Sequence, residues 1–559
     1  MHSAIRPNQV VILRLPSETT KIQKVIPSTL INCGKFGSFP ANQIIGRPFY
    51  LTYEILETPG DSQSTRLRIV PAAELHAESL IAEGEGDDEV EVDEQGLPLR
   101  TNRETVDDAS TQKLTMAEIE ALKEESTGAG KDIIAKILES HTTIDQKTAF
   151  SLAKYMLRKQ KKYMRRFTVI PMDVRALTNY MLENKDSASK SMELRDELMG
   201  LIGCWGNVHH GGDTTLQETL SRPNGRYLVV DETGGLIVAA MAERMGLLHP
   251  DEDSDDEAPE ATQSNGAGDS TENTQSGPLR PAQMSAAGNT ITLIHTNKQP
   301  NTSLLKNFGF DQGAPDESHP LYTNLKSISW LQLLEPEADP IYAQEPAIIP
   351  DSELATLKTN KRGVYHRKRT RWSRTQSVVN EVRAGGYDGL VVVTLMDPES
   401  VLKHTVPLLR GSASVAVYSP TIEPLTELAD LHSTARKTAY INKKRDLEEQ
   451  GLIKDSNGNG EIPELEKEFP LNPTLLLAPT LETVRARPWQ VLPGRSHPMM
   501  SGRGGAEGYI FHATRVIPTT EFIQAAGNPG RKRRKVAPAA AQSTATPGSS
   551  TSVDVEMEL

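Results

Sequence analysis

The stretch GRYLVVDETGGLIVAAMAERMG, residues 225–246, decides the fold class of this chain. Its first half is a nearly continuous apolar run, which is typical of a strand that is buried on both faces. Its second half is an apolar segment of helical length, and Gly234 and Gly235 form a tight turn between the two. A buried strand that runs directly into a helix indicates a mostly parallel sheet with helices on both sides.

The same alternation of strands and helices continues toward the C-terminus. Residues 289–297 (NTITLIHTN) predict a strand, and a helix is predicted through Leu304–Phe308. Residues 386–395 predict a buried strand, residues 413–435 predict a strand, a turn and a helix, and residues 508–518 predict an antiparallel strand. The sequence therefore predicts an α/β fold over residues 190–525, with a mostly parallel sheet that is covered on both sides.

The N-terminal part has a different pattern. Residues 8–70 contain four or five short segments rich in β-branched and aromatic residues, separated by Gly, Pro, Asn and Ser. This spacing predicts a β-rich, barrel-like module over residues 1–78. We expect an acidic, disordered linker over residues 79–109 and a helical segment over residues 110–170.

The net charge of −13 conceals an uneven distribution. The windows Glu83–Glu94 and Asp251–Glu260 hold 8 and 7 carboxylates and no Lys or Arg. Without these 15 of the 74 acidic residues, 61 basic residues face 59 acidic ones, a balance of +2. The folded part can therefore carry basic faces, whereas the linker and an insertion at about residues 250–288 are predicted to be disordered.

Several classes of protein are excluded by composition. Cys33 and Cys204 are too few for a disulfide framework or a Cys-based zinc site. No stretch approaches 18 continuous apolar residues, and the N-terminus has no secretory apolar region, so we expect a soluble intracellular protein without a membrane partner. His209 and His210 have no acidic or Cys pair at ligand spacing, so we interpret them as part of a loop.

A basic helix is predicted in the helical segment. Thr115–Glu118 and Thr143–Gln146 have the spacing of capping boxes, and the second precedes a helix from about Ile144 to Phe167. Five basic residues share one face of this helix, and an apolar stripe lies opposite. They are Lys154, Arg158, Lys161, Lys162 and Arg165. We predict that they contact RNA phosphates. The alternatives are a solvated face and a face docked on the acidic run Glu83–Glu94, which would act as an internal mimic of RNA.

A second basic stretch covers Lys361–Arg374, within a predicted insertion at about residues 335–375. Tyr365 and Trp372 are interleaved with its charges, and aromatic rings can stack on unpaired bases. The predicted RNA contacts are Arg367, Lys368, Arg369 and Arg371. A solvated face, with the Trp as an anchor to its own domain, is the alternative interpretation.

The C-terminal residues 526–559 are rich in Pro, Ala, Ser and Thr, and we predict that they are disordered. They contain a cluster of five consecutive basic residues, Arg531, Lys532, Arg533, Arg534 and Lys535. Such a cluster predicts a nuclear localisation signal, and a solvated basic tail is the alternative.

Several segments resemble a known family in the same order. They are VDDASTQKLTMAEIEALK (106–123), KYMLRKQKKY (154–163), VVDETGGLIVAAMAERMG (229–246), YDGLVVV (387–393) and RPWQVLPGRSHPMM (487–500). The chain is similar to Rossmann-type S-adenosylmethionine methyltransferases. It resembles most specifically the non-catalytic subunit of the eukaryotic tRNA adenine-N1 methyltransferase, which modifies the T-loop adenosine at position 58. The resemblance implies a catalytic partner of the same fold, a heterotetramer and tRNA as the bound RNA.

Three positions depart from the active pattern that the resemblance supplies. An active member follows its first strand with E-x-G-x-G-x-G, whereas only three residues separate Glu232 from Leu236 here. The second strand ends in His295 and not in a carboxylate. Thr394 aligns with the Asp that contacts the target adenine, unless an insertion of three residues brings Asp397 there.

These departures predict a chain with no catalytic residue and no cofactor site of its own. Two alternatives remain open at this point: an active S-adenosylmethionine-dependent RNA methyltransferase with a divergent pocket, and a general RNA-binding protein. Ser419 and Glu423 lie in a segment that resembles one near the pocket of the active subunit, for which we expect subunit packing. His497 is predicted to contact RNA or the partner, or to lie in a structural turn.

Overall fold

A computed structural model describes most of the chain. The described residues are 4–56, 65–75, 113–125, 130–142, 149–183, 185–210, 225–249, 288–314, 316–451, 463–487, 489–492, 495–498 and 506–517. The acidic windows, the predicted capping box at Thr143–Gln146 and the basic C-terminal cluster lie outside these ranges.

The N-terminal elements are mostly strands, and short helices follow them. The strands are β1 (Val10–Arg14), β2 (Thr20–Lys24), β3 (Leu30–Asn32), β4 (Ser38–Pro40), β5 (Thr52–Leu56), β6 (Arg66–Ile69) and β7 (Arg166–Pro171). The helices are α1 (Met116–Glu125), α2 (Lys131–Glu139), α3 (Ala149–Tyr163), α4 (Val174–Glu183), α5 (Lys185–Lys190) and α6 (Asp196–Trp205). Short 3₁₀ helices cover Gly34–Phe36 and Ala41–Gln43.

The C-terminal part alternates strands and helices, as predicted. Its strands are β8 (Arg226–Asp231), β9 (Thr290–His295), β10 (Leu325–Ser329), β11 (Tyr387–Val393), β12 (Leu409–Ser419), β13 (Leu476–Glu482), β14 (Trp489–Leu492), β15 (Arg495–Pro498) and β16 (Tyr509–Arg515). Its helices are α7 (Leu236–Met245), α8 (Leu321–Asn324), α9 (Trp330–Leu334), α10 (Pro340–Ala343), α11 (Asp351–Thr356), α12 (Thr359–Arg383), α13 (Pro398–Thr405), α14 (Glu423–Leu431), α15 (Thr434–Glu449) and α16 (Pro463–Glu468). The 3₁₀ helices are Ser303–Phe308, Pro336–Ala338, Val406–Leu408 and Pro473–Leu475.

Seven of these strands form one sheet in the order β10-β9-β8-β11-β12-β16-β13. The first five are parallel, and β16 is antiparallel to both of its neighbours. The chain winds outward from β8 in one direction and then returns to add β11 on its other side. This reversal is the switch point of a doubly wound α/β sheet, so the predicted Rossmann-type fold and the antiparallel last strand are confirmed.

The composition of β8 explains its central place. Tyr227 and Val229 belong to the apolar core on one face of the sheet, and Leu228 and Val230 belong to the core on the other. Successive side chains of a strand point to opposite faces, so a strand with helices on both sides needs an uninterrupted apolar run.

The N-terminal sheet has the order β2-β1-β7-β5-β6 and is antiparallel throughout. Its central strand, β7, comes from residues 166–171, so the sheet extends beyond the predicted boundary at residue 78. A second sheet of β3 and β4 shares its core, in which Phe39 stacks on Phe167 with ring centroids 4.3 Å apart. The two sheets therefore form one β-rich module.

An ion-pair network attaches the helical segment to this module. Glu54, which is 2% exposed, accepts a hydrogen bond of 3.1 Å from the Arg166 side chain. Arg166 also donates to Glu74 at 3.0 Å, and Lys131 at the start of α2 pairs with the same carboxylate. Helix α2 is thereby fixed beside β5 and β7. The start of α2 also packs closely against the end of α3, because a Cβ on Gly130 would lie 2.2 Å from the carbonyl oxygen of Tyr163.

One prediction for the helical segment is confirmed, and the predicted end of the basic helix is corrected. The capping box at Thr115 is confirmed, since its N–H donates to Glu118 at 2.7 Å and the Glu118 N–H donates to the Thr115 hydroxyl at 3.3 Å. Helix α3, however, ends at Tyr163, because the chain turns there to enter β7. Arg165 therefore lies beyond the helix, and Phe167 lies in the strand.

The predicted basic insertion at about residues 335–375 is not separate from the sheet. Residues 359–383 form the single helix α12, whose Val378, Val379 and Val382 are buried against the sheet. It is the crossover helix that connects β10 to β11, and its N-terminal half carries the basic stretch. Within the described ranges, no helix has the length and apolarity that a membrane crossing requires.

Candidate functional site

The turn after β8 uses its own carboxylate to satisfy the start of α7. Asp231 accepts hydrogen bonds from the N–H and hydroxyl of Thr233 at 2.6 and 2.5 Å, and from the N–H of Val238 at 3.3 Å. Burial raises the pKa of Asp231, and these hydrogen bonds oppose that shift. The amides at the start of this helix, which a glycine-rich loop would offer to a ligand, are therefore already engaged.

Glu232, the next residue, bridges the ends of two neighbouring strands. Its carboxylate accepts a hydrogen bond of 2.6 Å from the Thr394 hydroxyl and one of 3.1 Å from the Leu395 N–H. Its own N–H donates to the Val393 carbonyl at 3.0 Å. Glu232, which begins the shortened loop, and Thr394, which aligns with the adenine-contacting Asp, are thus in direct contact. Their hydrogen bond occupies the space between the ends of β8 and β11, at the switch point of the sheet.

The two glycines of the turn are covered by the segment after β9. Gly234 accepts a backbone hydrogen bond of 3.0 Å from Leu304. A Cβ on Gly235 would lie 3.2 Å from the Cα of Thr302 and 3.3 Å from the Leu305 side chain. These contacts pack the short turn against the segment after β9, in place of the longer glycine loop that the methionine part of S-adenosylmethionine approaches in an active member. The residues present therefore do not fit that cofactor.

The end of β9 offers a neutral side chain. The His295 Nδ1 lies 2.6 Å from the carbonyl oxygen of Asn297, and burial lowers the pKa of this imidazole. A neutral imidazole that already contacts the backbone of its own turn is a weak substitute for a carboxylate that accepts hydrogen bonds from ribose hydroxyls.

Asp397, the alternative to Thr394, caps a helix. Its carboxylate accepts a hydrogen bond of 3.2 Å from the N–H of Ser400 in the first turn of α13. The side chain is exposed and satisfies a helix terminus, which is a structural role. The structure thus gives Asp397 a capping role, and the alignment of Thr394 with the adenine-contacting Asp stays a prediction.

The first basic surface lies along α3, and its cations differ in exposure and in partners, which the sequence does not indicate. Arg158 and Lys162 are exposed, whereas Lys161 pairs with Glu18 of the β1–β2 turn at 2.8 Å. Arg165 is half-buried after the helix end, and its carbonyl accepts from the Ile55 N–H at 2.8 Å. Lys154 lies within α3, and its side chain is outside the described part of the structure.

The second basic surface is the N-terminal half of α12. Arg367, Lys368 and Arg371 are exposed. Arg369 is half-buried and donates to the carbonyl of Pro346 at 3.3 Å, and its guanidinium also lies 3.9 Å from Glu345.

The two aromatic residues of this stretch serve the protein itself. The Trp372 indole donates to the Tyr342 carbonyl at 3.3 Å, and the Tyr365 hydroxyl accepts from the Ile349 N–H at 3.1 Å. Residues 339–350, which we call the strap, thus cover one side of the helix. The anchor interpretation of Trp372 is correct, and the predicted stacking of these two rings on bases is not supported.

The remaining candidate residues have structural surroundings. The His209 Nδ1 lies 2.7 Å from the carbonyl of Asn207 and 3.1 Å from the Tyr227 hydroxyl. No group of three potential metal ligands occurs in the part of the chain that the structure describes. His497 lies in β15, which forms a two-stranded hairpin with β14, and its side chain is outside the described part.

Sequence reasoning missed the capping role of Asp231, the bond between Glu232 and Thr394, and the strap. The shortened loop after Glu232 was the available signal for the first two. The strap has no periodic pattern, and nothing in its sequence indicates which helix it contacts.

Known proteins similar to this chain place it in a family. Residues 4–358 match the sequence profile of the Gcd10p family. A protein of Aspergillus oryzae is 63% identical over the full length of both chains. A protein of Debaryomyces hansenii is 30% identical over 96% of this chain and 91% of its own length. Both are named tRNA (adenine(58)-N(1))-methyltransferase non-catalytic subunit.

Solved structures are similar at a low level. A SAM-dependent O-methyltransferase of Thermotoga maritima has a TM-score of 0.38 and 10% identity, covering 93% of this chain and 97% of its own. The tRNA (m1A58) methyltransferase TrmI of Aquifex aeolicus has a TM-score of 0.35 and 9% identity, covering 92% of this chain and 100% of its own. The profile match and the full-length identity decide the assignment: the chain belongs to the Gcd10p family.

Proposed function

We propose that this chain is the non-catalytic, tRNA-binding subunit of a tRNA N1-methyladenosine methyltransferase complex. The hydrogen bond between Thr394 and Glu232 carries the proposal. It joins the position of the adenine-contacting Asp to the position that should begin the cofactor loop. The names of the full-length relatives support the same role.

The catalytic partner is a homologue of the same fold that binds S-adenosylmethionine, and the assembly is a heterotetramer. The described residues at the carboxyl ends of β8, β9 and β11 do not fit the cofactor, so the partner supplies the chemistry. This chain then adds contacts to a tRNA that is large relative to one active site.

The RNA-binding surface of this proposal consists of the two basic helices. Exposed cations on α3 and α12 can meet successive phosphates, which contributes affinity without reading the sequence. The proposed contacts are Lys154, Arg158, Lys161, Lys162, Arg165, Arg367, Lys368, Arg369 and Arg371. The exposure of Arg158, Lys162, Arg367, Lys368 and Arg371 supports them most directly. Lys161 and Arg369 contribute least among the proposed contacts, because each already lies near an acidic residue of this chain.

The domain organisation follows the same proposal. Residues 1–78, together with β7, form a barrel-like module, a description that the shared core of the two N-terminal sheets supports. Residues 79–109 connect it to the helical segment predicted at residues 110–170, whose last residues from Arg166 onward belong to β7 instead. The methyltransferase-like domain covers residues 190–525.

The complex acts in the nucleus under this proposal, because residues 531–535 form a basic cluster typical of a nuclear localisation signal. Changing Arg533, Arg534 and Lys535 to Ala in the full chain should leave a fluorescent fusion in the cytoplasm. A fusion that stays nuclear without its partner would exclude this cluster as the signal.

Reconstitution with the catalytic homologue tests the function. Methylation of tRNA should require both chains, and equilibrium dialysis with labelled S-adenosylmethionine should show saturable binding to the partner only. Saturable binding and methylation by the isolated chain would favour an active enzyme with a divergent pocket. Binding of many unrelated RNAs, with no effect on the partner's activity, would favour a general RNA-binding protein.

A further inference from the structure

A cavity opens at the carboxyl edge of the seven-stranded sheet, where ligands of doubly wound folds bind. It has a volume of about 400 Å³, within the usual size range of small-ligand pockets. Its walls come from the segments that follow β9, β10 and β11. They are Thr296, Trp330, Leu334, Met396, Ser400 and His404.

The lining combines a flat aromatic side chain with polar groups. Trp330 and Met396 pack against the core on the α12 side of the sheet. The Trp330 indole N–H has no acceptor among the described residues. The lining also includes the Thr296 hydroxyl, the His404 imidazole and the Ser400 hydroxyl. Ser400 donates its proton to the Asp397 carbonyl at 2.7 Å, so its oxygen serves the cavity as an acceptor. A planar heteroaromatic ring matches this set, because its face is apolar and its edge carries acceptors and donors.

The surroundings of the cavity are apolar and exposed. Leu331 is 47% exposed on α9, Leu334 is 46% exposed, and Leu395 is 75% exposed after β11. Large apolar side chains that cluster at a rim indicate an interaction site more strongly than scattered ones do.

The basic half of α12 lies at the same edge. Helix α12 packs its C-terminal Val378, Val379 and Val382 on the sheet and ends beside the start of β11, at the amino edge. Its 25 residues span roughly 37 Å at 1.5 Å per residue, whereas the seven residues of β11 span roughly 23 Å. The first turn of α12 therefore projects up to roughly 14 Å past the carboxyl edge. On the same scale Lys361–Arg367 lie beyond this edge, Lys368 lies level with it, and Arg371 lies beside the last residues of β11.

Contacts through the strap connect this half-helix to the cavity wall. Gln332 of α9 donates to Asp339 at 2.7 Å, and the Tyr342 carbonyl accepts from Trp372 of α12 at 3.3 Å. Trp330 and Leu334 lie on α9 itself. The aromatic wall and the cationic helix are thus parts of one packed unit on one side of the sheet.

We propose that this cavity takes a single unstacked nucleobase of the bound RNA, whose phosphates lie along the basic half of α12. Base stacking on aromatic side chains and phosphate contacts with nearby cations are the two components of single-stranded RNA recognition. The inference rests on the proposed function, because it assumes that RNA is the ligand. A protein segment would use the apolar rim but would have no need of the cations beside it.

The test fills the cavity in the assembled complex with the catalytic partner. Thr296 is exposed in a loop, so Thr296→Trp adds bulk to the cavity without disturbing the core. Leu334→Trp is a second filling variant on the opposite wall. Ala384→Trp introduces the same side chain at the exposed C-terminal end of α12, near the amino edge, and is the matched control.

Affinity for tRNA is measured by fluorescence anisotropy over a range of salt concentrations. Both filling variants should bind roughly 5- to 100-fold more weakly, the range for removal of one stacked base, and the control should bind as the unaltered complex does. The log–log salt slope should stay unchanged, because every phosphate keeps its cation. Equal affinities of the filling variants and the control, with tRNA still bound, would overturn the base-binding proposal alone. Failure of the unaltered complex to bind tRNA would overturn the proposed function.

Two further measurements separate other occupants. Light scattering reports assembly, and loss of the partner from both filling variants, with the control intact, would assign the cavity to a protein contact and overturn the proposal. Titration with 2-aminopurine riboside tests a free nucleoside. Saturable quenching of the riboside fluorescence that added tRNA does not reverse would assign the cavity to a free nucleoside. It would overturn RNA as the source of the bound base.

Discussion

The Thr394 hydroxyl donates a hydrogen bond of 2.6 Å to the carboxylate of Glu232, across the switch point of the sheet. The two residues are 162 positions apart in sequence and lie at the carboxyl ends of adjacent parallel strands. A methyltransferase of this fold needs open space between these strand ends. The same bond that fills this space also joins β8 to β11, so a structural contact stands where an active enzyme would hold its ligands.

This hydrogen bond predicts a stability effect. Thr394→Val keeps the shape of the side chain but removes both the donor to Glu232 and the acceptor of the Met396 N–H, which donates to the Thr394 hydroxyl at 3.0 Å. The half-buried Glu232 carboxylate then keeps only the Leu395 N–H among these partners. We expect a decrease of about 1–3 kcal/mol in the free energy of unfolding, measured by urea denaturation. Thr394→Ser retains the hydroxyl and should be clearly less destabilised. Equal stability of the Val variant and the unaltered chain would show that the bond contributes nothing.

Glu74 predicts a pH dependence for the attachment of α2. Hydrogen bonds from Lys131 and Arg68 lower the pKa of Glu74 to about 2. Its folded-state pKa is below the unfolded value, so its contribution is complete above about pH 4.5 and is lost as the pH falls toward 2. Glu74→Gln should therefore destabilise the chain at pH 7 by about 1.5–3 kcal/mol.

The difference in the free energy of unfolding between Glu74→Gln and the unaltered chain should decrease steadily as the pH falls from about 5 to about 2. Urea denaturation at each pH gives this difference, and hydrogen exchange over residues 131–139 locates it. Glu353→Gln, at an exposed position on α11, is the matched control. A difference that does not change with pH would mean that the ion pairs of Glu74 do not hold α2.

The sequence was most informative where structure is local. The apolar run of β8, the turn at Gly234 and the capping box at Thr115 depend on neighbouring residues, and all three were predicted. The place of β7 was not predictable, because it pairs with β1 and β5 across more than a hundred residues. Its insertion ends α3 at Tyr163 and removes Arg165 from the predicted helical face.

The candidate site was predictable to a similar degree. The shortened loop predicted that the cofactor site is missing, since loop length can be read directly. Which side chains close it was not readable, because Thr394 meets Glu232 only through strand pairing. The roles of Tyr365 and Trp372 depend on the strap, whose contacts are tertiary and leave no periodic signal in the sequence.

The basic surface of α3 predicts a salt-dependent effect. Arg158→Glu with Lys162→Glu removes two exposed cations without touching the pair between Lys161 and Glu18. Affinity of the assembled complex for tRNA should fall, and the log–log salt slope should decrease by roughly 0.7–0.9 for each phosphate that is no longer neutralised. Lys161→Glu should instead mainly lower stability, because it places two carboxylates together. Unchanged affinity and slope in the double variant would leave α12 as the main RNA surface.

The basic half of α12 gives the sharpest test of the RNA surface, because exposed and engaged cations alternate on one helix. Arg367, Lys368 and Arg371 are exposed, whereas Arg369 contacts the strap. Changing the three exposed residues to Glu should reduce tRNA affinity and lower the salt slope by roughly 2–3, while the complex still assembles. Arg369→Gln should leave the slope nearly unchanged and loosen the strap, which hydrogen exchange at residues 339–350 would report. Changing Lys443, Lys444 and Arg445 on α15 to Glu is the matched charge control, since it also reverses three cations and each of them already lies near an acidic residue. If this control lowers the slope as much as the α12 variant does, tRNA responds to net charge alone, and α12 is not a specific surface.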